Sequence, residues 1–292
     1  MPNRANDSQA PTRKLTFMRE RHKPTFESAR HERPSLRQIY NSLTTWSDDH
    51  IPTAALDNRM KDLLSSVTDP HMSHDLSEKE IVDLRRINAS IEYQSEKKTA
   101  LSMLSLPNPM TQLDDFVYND YQNLVELEKN IIDTYTDSDP QQPWLFVGGG
   151  PLPLSAILLA KNYGLKSNVI DASYEASEIS SQVISKLEDK KILEKGFVTV
   201  SQGNAENITT YKNHDTIFLA ALAGDTLESK QTIFRQIKEH APENAHILAR
   251  SSQGNKQLLY LPVPESAYKD FDLIHEFHPG NDVLNSMLLL KK

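Results

Sequence analysis

The sequence contains no cysteine. Disulfides, zinc–thiolate sites and cysteine nucleophiles are thereby excluded. No apolar run approaches the roughly 18–20 residues that cross a bilayer as a helix. The first residues hold no apolar stretch of the kind that forms a secretory signal. No membrane partner is expected, and a cytoplasmic location is the simplest expectation. Charge is unevenly spread along the chain. Residues 1–37 are rich in Arg and Lys, yet the whole chain has a formal net charge of −8, so the remainder is clearly acidic. An acidic body argues against a nucleic-acid partner, because phosphate binding needs a basic face. Residues 1–34, with Pro, Ser and Asn between the charges, read as a disordered basic leader. A nucleic-acid tether or a targeting peptide is the functional alternative.

What is present suits a globular protein. Apolar residues make up 38% and charged residues 25% of 292 positions. A sizeable core follows, in one large domain or two small ones. Residues 35–136 read as a helical domain, because apolar residues recur at three and four. Leu36, Ile39, Tyr40 and Leu43 make one such set; Ile81, Leu84, Ile87 and Ile91 make another. Asp75 or Ser77 is placed to cap the second helix, with Glu80 completing a capping box after Ser77. Pro107 and Pro109 break that helix, and a further one is expected over 112–135. The turn residues of 137–143 mark a linker.

From Trp144 the rhythm changes. Strand-like runs at Trp144–Val147, Ser167–Asp171, 197–201, 216–221 and 245–249 alternate with helical stretches at Leu154–Tyr163, 176–187 and 230–240. This is the pattern of a parallel sheet covered by helices on both faces. Residues 271–277 and 283–290 read as a strand pair around the turn His278-Pro279-Gly280-Asn281. The expected class is α/β: a Rossmann-like, class I methyltransferase-type sheet over 137–292, preceded by the helical domain.

One loop carries the chemical signal. The apolar strand Trp144–Val147 runs into Gly148-Gly149-Gly150, then Pro151, then a helix. Glycines allow a sharp turn and a close approach of backbone to ligand. Proline at a helix start gives up no needed hydrogen bond. The exposed N–H groups there would face a carboxylate or phosphate. The dinucleotide fingerprint G-x-G-x-x-G fails at Pro153, which disfavours NAD and its pyrophosphate. S-adenosylmethionine needs no pyrophosphate pocket and tolerates the change. Asp171 ends the second strand about twenty residues on, where a carboxylate can accept both ribose hydroxyls. Asn204 and Ala205, after the third strand, stand where an adenine edge would be read.

The run Phe146-Val147-Gly148-Gly149-Gly150-Pro151-Leu152-Pro153-Leu154-Ser155 closely resembles the nicotianamine synthase family. So do Asn168-Val169-Ile170-Asp171, Ala220-Ala221-Leu222-Ala223, Arg250-Ser251-Ser252-Gln253-Gly254, Leu259-Tyr260 and the segment from His278 to Ser286. The similarity runs from about Ile39 onward. The resemblance implies a methyltransferase-like fold whose donor site includes Gly148, Gly149, Gly150, Pro151, Leu152, Asp171, Ala221 and Leu222, to which the strand-end reading adds Asn204 and Ala205. It also implies transfer of the 3-amino-3-carboxypropyl (aminobutanoyl) group of S-adenosylmethionine onto an amine, with methylthioadenosine leaving. The acceptor is another S-adenosylmethionine in nicotianamine synthases and histidine in the enzymes of opine metallophores. Histidine is the expected small-molecule acceptor here. A homodimer stands as one option for assembly.

Such a transfer needs a neutral amine, so a carboxylate or tyrosine should take a proton from the acceptor's ammonium. Glu96 falls on the apolar line Tyr93, Ala100, Met103 and Leu104, where an acid is either a helix-edge residue or a buried functional one. Ser95-Glu96 matches the family's Ser-Glu element, which makes Glu96 the expected base. Tyr121, on the stripe Val117, Tyr121, Leu124 and Ile131, approximates the family's active-site tyrosine. Tyr118 is its rival and a candidate for substrate binding. Arg250, at a strand end, is a candidate to pair a substrate carboxylate, with a structural salt bridge as the plain alternative. The pairs His71/His74 and His275/His278 lack a third nearby ligand and read as loop residues, so no metal is expected. A methyltransferase and a non-catalytic binding protein are the competing functions. Product mass separates the first, and indifference to loss of Glu96 would favour the second.

Overall fold

Four helices precede the sheet: α1 (Leu36–Leu43), α2 (Ala54–Val67), α3 (Glu78–Ser105) and α4 (Asp115–Tyr135). These coordinates, a computed structural model, describe residues 34–45, 54–112, 115–139, 141–280 and 283–292, without the side chains of 54–57 and 112–120. Residues 1–33 of the basic leader lie outside the described residues. The start of α3 follows from its sequence. Ser77 accepts from the Glu80 N–H, and the Glu80 carboxylate accepts from the Ser77 N–H at 2.8 Å. Ser77, and not Asp75, is the cap. Arg37 of α1 reaches the same carboxylate and donates to the Asp75 carbonyl at 2.7 Å, docking α1 on this helix start.

At 28 residues α3 is about 42 Å long. Its change of apolar stripe is a change of partner. Leu84, Ile87 and Ile91 pack with Leu36, Ile39, Leu43 and Leu63 of α1 and α2, and with Leu258 and Leu259. Ala100 and Met103 belong instead to the core beneath the sheet, with Leu124 and Val125 of α4. Proline ends the helix as expected: α3 stops at Ser105, and a short 3₁₀ turn, Pro109–Gln112, leads to α4.

The remaining elements are β1 (Trp144–Val147), α5 (Leu154–Tyr163), β2 (Ser167–Asp171), α6 (Tyr174–Asp189), β3 (Val198–Gln202), β4 (Thr216–Leu219), α7 (Leu227–His240), β5 (His246–Ser251), α8 (Glu265–Tyr268), β6 (Asp272–Phe277) and β7 (Ser286–Lys291). The sheet order is β3-β2-β1-β4-β5-β7-β6. The first five strands are parallel, and β7 runs antiparallel to both β5 and β6. β1 is buried at every position because the sheet is covered on both faces. Its side chains alternate between two cores. Trp144 and Phe146 stack on Phe218 at 5.1 and 4.6 Å on one face, while Leu145 and Val147 join Ile217, Phe234 and Ile247 on the other.

Two strand boundaries differ from expectation where the chain serves the cavity. β4 stops at Leu219 because Ala220 to Ala223 close a turn, with the Ala223 N–H on the Ala220 carbonyl at 3.0 Å. β7 starts at Ser286, since Val283, Leu284 and Asn285 line the cavity instead. The terminal strand pair forms as read, but β7 lies inside the sheet and β6 at its edge.

The order reverses at β1, whose neighbours are β2 and β4. Ligands of open α/β sheets bind outside the carboxyl ends of the strands at such a point. α3 and α4 supply side chains to the cavity at that end. Residues Pro34–Lys292 form one compact unit.

Helix α5 is buried from Leu154 to Ala160, because α4 lies over the face turned away from the sheet. Leu158 is 0% exposed. Leu158→Ala should therefore destabilise the protein by about 2–5 kcal/mol, as a cavity no neighbour can fill. A urea titration should show a lower midpoint with an unchanged slope. An unchanged midpoint would mean that α5 is not packed in this way.

Candidate active site

The loop after β1 is held from below by β2. The Gly148 and Gly149 N–H groups donate to the Ile170 carbonyl at 2.9 and 3.2 Å, and the Gly150 N–H donates to Asp171 Oδ2 at 2.8 Å. Gly149 has no room for a side chain, because a Cβ there would overlap Val169. Gly150 has φ +63° and a second constraint: a Cβ on it would collide with Glu96 Oε2. The carboxylate of α3 thus rests directly on the glycine loop. The first turn of α5 follows, capped by Pro153 without a side-chain hydrogen bond. Leu154, Ser155 and Ala156 of that turn line the cavity. Its amides form an electropositive helix start suited to a carboxylate.

The cavity has a volume of about 490 Å³, within the usual range for small-molecule sites. Glu92 and Glu96, one turn apart on α3, both line it. Burial pushes the Glu96 carboxyl well above the ordinary carboxylate range, and the charges of Glu92 and Asp171 push it further. Burial likewise raises Glu92, partly offset by Tyr260 and Asn88. The Tyr260 hydroxyl donates to Glu92 Oε1 at 2.6 Å, and Asn88 Nδ2 donates to the same oxygen at 2.8 Å. Tyr121 lines the wall; burial, then the Glu96 charge, holds its hydroxyl protonated far above neutrality. Tyr93 also lines the cavity and donates to Glu175 Oε2 at 2.8 Å, bridging α3 to α6.

Residues 35–292 match the nicotianamine synthase protein family. The chain belongs to the nicotianamine synthase family. Nicotianamine synthase 2 of Arabidopsis thaliana is 32% identical over 191 residues, which cover 63% of this chain and 58% of that protein. The chain thus spans less than two thirds of the length of that relative. Probable nicotianamine synthase 4 of the same plant is 26% identical over 253 residues, covering 82% of this chain and 76% of that one. A solved structure of MtNAS in complex with MTA and tNA has a TM-score of 0.74 at 24% identity, covering 88% of this chain and 96% of that chain. A mutant of MtNAS in complex with S-adenosylmethionine gives 0.73 at 22%, with the same coverage. At these identities the structural likeness establishes the fold.

In this member of the nicotianamine synthase family, the cavity gathers Glu96, Tyr121, Gly148, Gly149, Gly150, Leu152, Asp171, Ala221, Leu222 and Arg250 among its lining residues. Pro151, buried between two of them, does not itself line it. Asn204 and Ala205 do not line it either. Asn204 Oδ1 accepts from the Glu206 N–H at 2.9 Å, and Ala205 is buried with its carbonyl on the Tyr211 hydroxyl. The Tyr118 side chain lies outside the described residues. Asp171 lines the cavity while its two oxygens accept from the Gly150 and Ser173 N–H groups. Arg250 is already paired. Its Nε and Nη2 donate to Glu128 at 2.6 and 3.0 Å, and Nη2 also donates to Ser155 Oγ at 2.7 Å. Glu128 is fully buried. Only Nη1 of Arg250 stays outside this clasp.

Glu92 and Glu128 were not singled out from the sequence, and Tyr260 entered only within the run Leu259-Tyr260, without a site role. Glu128 continues the apolar stripe of α4 four residues beyond Leu124, and Glu92 sits four before Glu96. An acid at helical spacing on a buried line was the available signal for both. Among the described residues, no group of three or more His, Asp or Glu is arranged to hold a metal ion.

Two outcomes follow. Glu128→Ala should cost about 3–5 kcal/mol, because it strands the Arg250 charge in the interior; chemical denaturation measures this, and a loss below 1 kcal/mol would show the pair to be solvated. Glu96 has a folded-state pKa raised above its unfolded value. The stability it contributes is therefore fully present below the ordinary carboxylate range and is lost as pH rises through the folded value. Glu96→Gln should accordingly melt a few degrees above the unmodified protein at pH 8–9, with the gap closing towards pH 4. Parallel melting curves across this range would contradict the burial assigned to Glu96.

Proposed function

We propose that this protein transfers the 3-amino-3-carboxypropyl group of S-adenosylmethionine onto the amine of histidine, releasing methylthioadenosine, in the synthesis of a nicotianamine-like or opine metallophore. The observation that carries the reading is the Glu96 carboxylate seated on Gly150 of the loop that would cradle the donor. Membership of the nicotianamine synthase family supports it. The residues present suit the donor. Gly148 to Gly150 leave room for close backbone approach, the start of α5 offers amides to the methionine carboxylate, and Asp171 is placed for the ribose hydroxyls.

The donor supplies a sulfonium whose methyl, C5′ and Cγ carbons are all electrophilic. Positioning decides which one reacts, since attack must be in line at about 3–3.5 Å. In aminobutanoyl transfer the acceptor nitrogen bonds to Cγ, the Cγ–S bond breaks, and its electron pair leaves on the sulfur of methylthioadenosine. The nitrogen attacks as a neutral amine, so Glu96 first takes a proton from the ammonium. Burial and the neighbouring carboxylates make it a stronger proton acceptor than an exposed carboxylate. Tyr121, protonated throughout the neutral range, donates a hydrogen bond to the reacting end. Water excluded from a cavity walled by α3, α4 and the sheet strengthens these interactions.

The names of the curated relatives favour a second acceptor. Those matched are nicotianamine synthases, which argues for a second S-adenosylmethionine in place of histidine. Incubation of the protein with S-adenosylmethionine alone, and with L- or D-histidine, separates these readings by product mass. S-adenosylhomocysteine in place of methylthioadenosine would make the protein a methyltransferase.

Glu96→Gln should retain S-adenosylmethionine binding, since most proposed donor contacts lie on the sheet. Transfer at neutral pH should fall by roughly 10²–10⁴, the usual range for a lost general base. Raising the pH should recover part of the rate, because more acceptor is then already neutral. Near-normal transfer by this variant at neutral pH would remove Glu96 from the chemistry and leave Tyr121 or Tyr118 as the next candidate.

A further inference from the structure

A buried lysine lies beneath the cavity and takes no part in the chemistry above. Lys230, in the first turn of α7, is 3% exposed. Its ammonium donates to two backbone carbonyls of the turn after β4, Ala223 at 3.0 Å and Ala221 at 3.3 Å. That turn, Ala220 to Ala223, forms one wall of the cavity. The lysine is packed tightly under it: a Cβ on Gly224 would lie 3.0 Å from both Lys230 Cγ and Lys230 N. Burial lowers the Lys230 pKa to about 8, partly countered by Asp225. A lysine carries such a desolvation penalty only where its N–H groups are needed.

The consequence follows from peptide geometry. In a trans peptide the carbonyl and the next N–H point in opposite directions, and the described chain has no cis bond. The Ala221 carbonyl points down at Lys230, so the Leu222 N–H points away from it. The other side of this turn is the cavity, which Ala221 and Leu222 both line. No described residue accepts from the Leu222 N–H.

We infer that Lys230 is a positioning residue that orients the Ala221–Leu222 peptide, so that the Leu222 N–H donates a hydrogen bond to the donor substrate. By this assignment Lys230 touches no ligand and acts only through the turn it holds. The inference rests on S-adenosylmethionine being the donor. Its sulfonium lacks a lone pair suited to accept, which leaves carboxylate, hydroxyl or ring-nitrogen atoms as the partner of this N–H.

Lys230→Met keeps the length of the stem and removes the donors; Lys230→Arg restores donors. In Lys230→Met, the Kd for S-adenosylmethionine by calorimetry and the KM for it should rise about 10–100-fold. kcat should stay within about threefold, and the KM of the acceptor should not move. Lys230→Arg should recover most of the affinity. A merely structural lysine would lower the melting temperature without this split, so donor affinity at wild-type strength in folded Lys230→Met overturns the inference. Should that variant fail to fold, the unmodified protein still decides. In ¹⁵N-labelled protein the Leu222 amide should shift and gain protection from exchange when S-adenosylmethionine is added. Binding that leaves this amide unmoved overturns the inference alone, whereas no binding by the unmodified protein overturns the donor reading with it.

Discussion

The pairing of Arg250 with Glu128 is the constraint on which the rest of the cavity depends. It joins the end of β5 to the middle of α4, and through Ser155 to the first turn of α5. Those elements form the inner wall of the site. Two opposite charges taken out of water repay desolvation only with close and multiple contacts. Here both carboxylate oxygens are engaged by a planar fork, which fixes direction as well as distance. α4 cannot slide along the sheet without breaking two charge-assisted bonds at once. Tyr121, two turns before Glu128 on the same helix, is held at its height in the wall by the same clasp.

With Arg250 balanced by Glu128, the remaining ionisable side chains on the cavity wall, apart from tyrosines, are carboxyls: Glu92, Glu96 and Asp171. Such a wall suits a ligand that brings positive charge. It also carries a cost in the empty protein, because two carboxylates one turn apart on α3 are held partly out of water. Glu92 is steadied by Tyr260 and Asn88, while Glu96 is given no hydrogen bond by the described residues. That difference makes Glu92 the hydrogen-bonded member of the pair and leaves the Glu96 carboxyl open to the cavity. Gly150 permits the arrangement, since any side chain there would push Glu96 off the loop.

Much of this was legible in the sequence, for definite reasons. β1, β2 and α5 begin and end where the apolar run, the glycines and Asp171 say they should, because local signals dominate at those points. Glu96 and Tyr121 were visible as polar groups on buried helical lines. The same logic reached Glu92 and Glu128 in principle, but an acid four residues from a line is also the commonest way for a helix edge to look. Tyr260 falls in the run Leu259-Tyr260 that resembles the family, but no periodicity assigned it a role: its partner is 168 residues away, and it sits in a loop. Asn204 and Ala205 show the opposite limit. The strand-end rule gives the end of the sheet at which ligands gather, but not which side chains turn towards them. Arg250 lines the cavity, but its partner is Glu128, a residue that only the packing of α4 could reveal.

The position of β7 has a consequence for how the molecule comes together. Among the described strands β6 pairs only with β7, although it precedes β7 in the chain. When β6 emerges during synthesis it has no strand to join, and the edge of β5 stays open. β7 is thus the strand that joins β6 to the rest of the sheet. Its place beside β5 brings Val283, Leu284 and Asn285 into the cavity wall. The cavity wall is therefore complete only when β7 lies beside β5, and a chain stopping before Val283 would hold the glycine loop and its acids without that part of the wall.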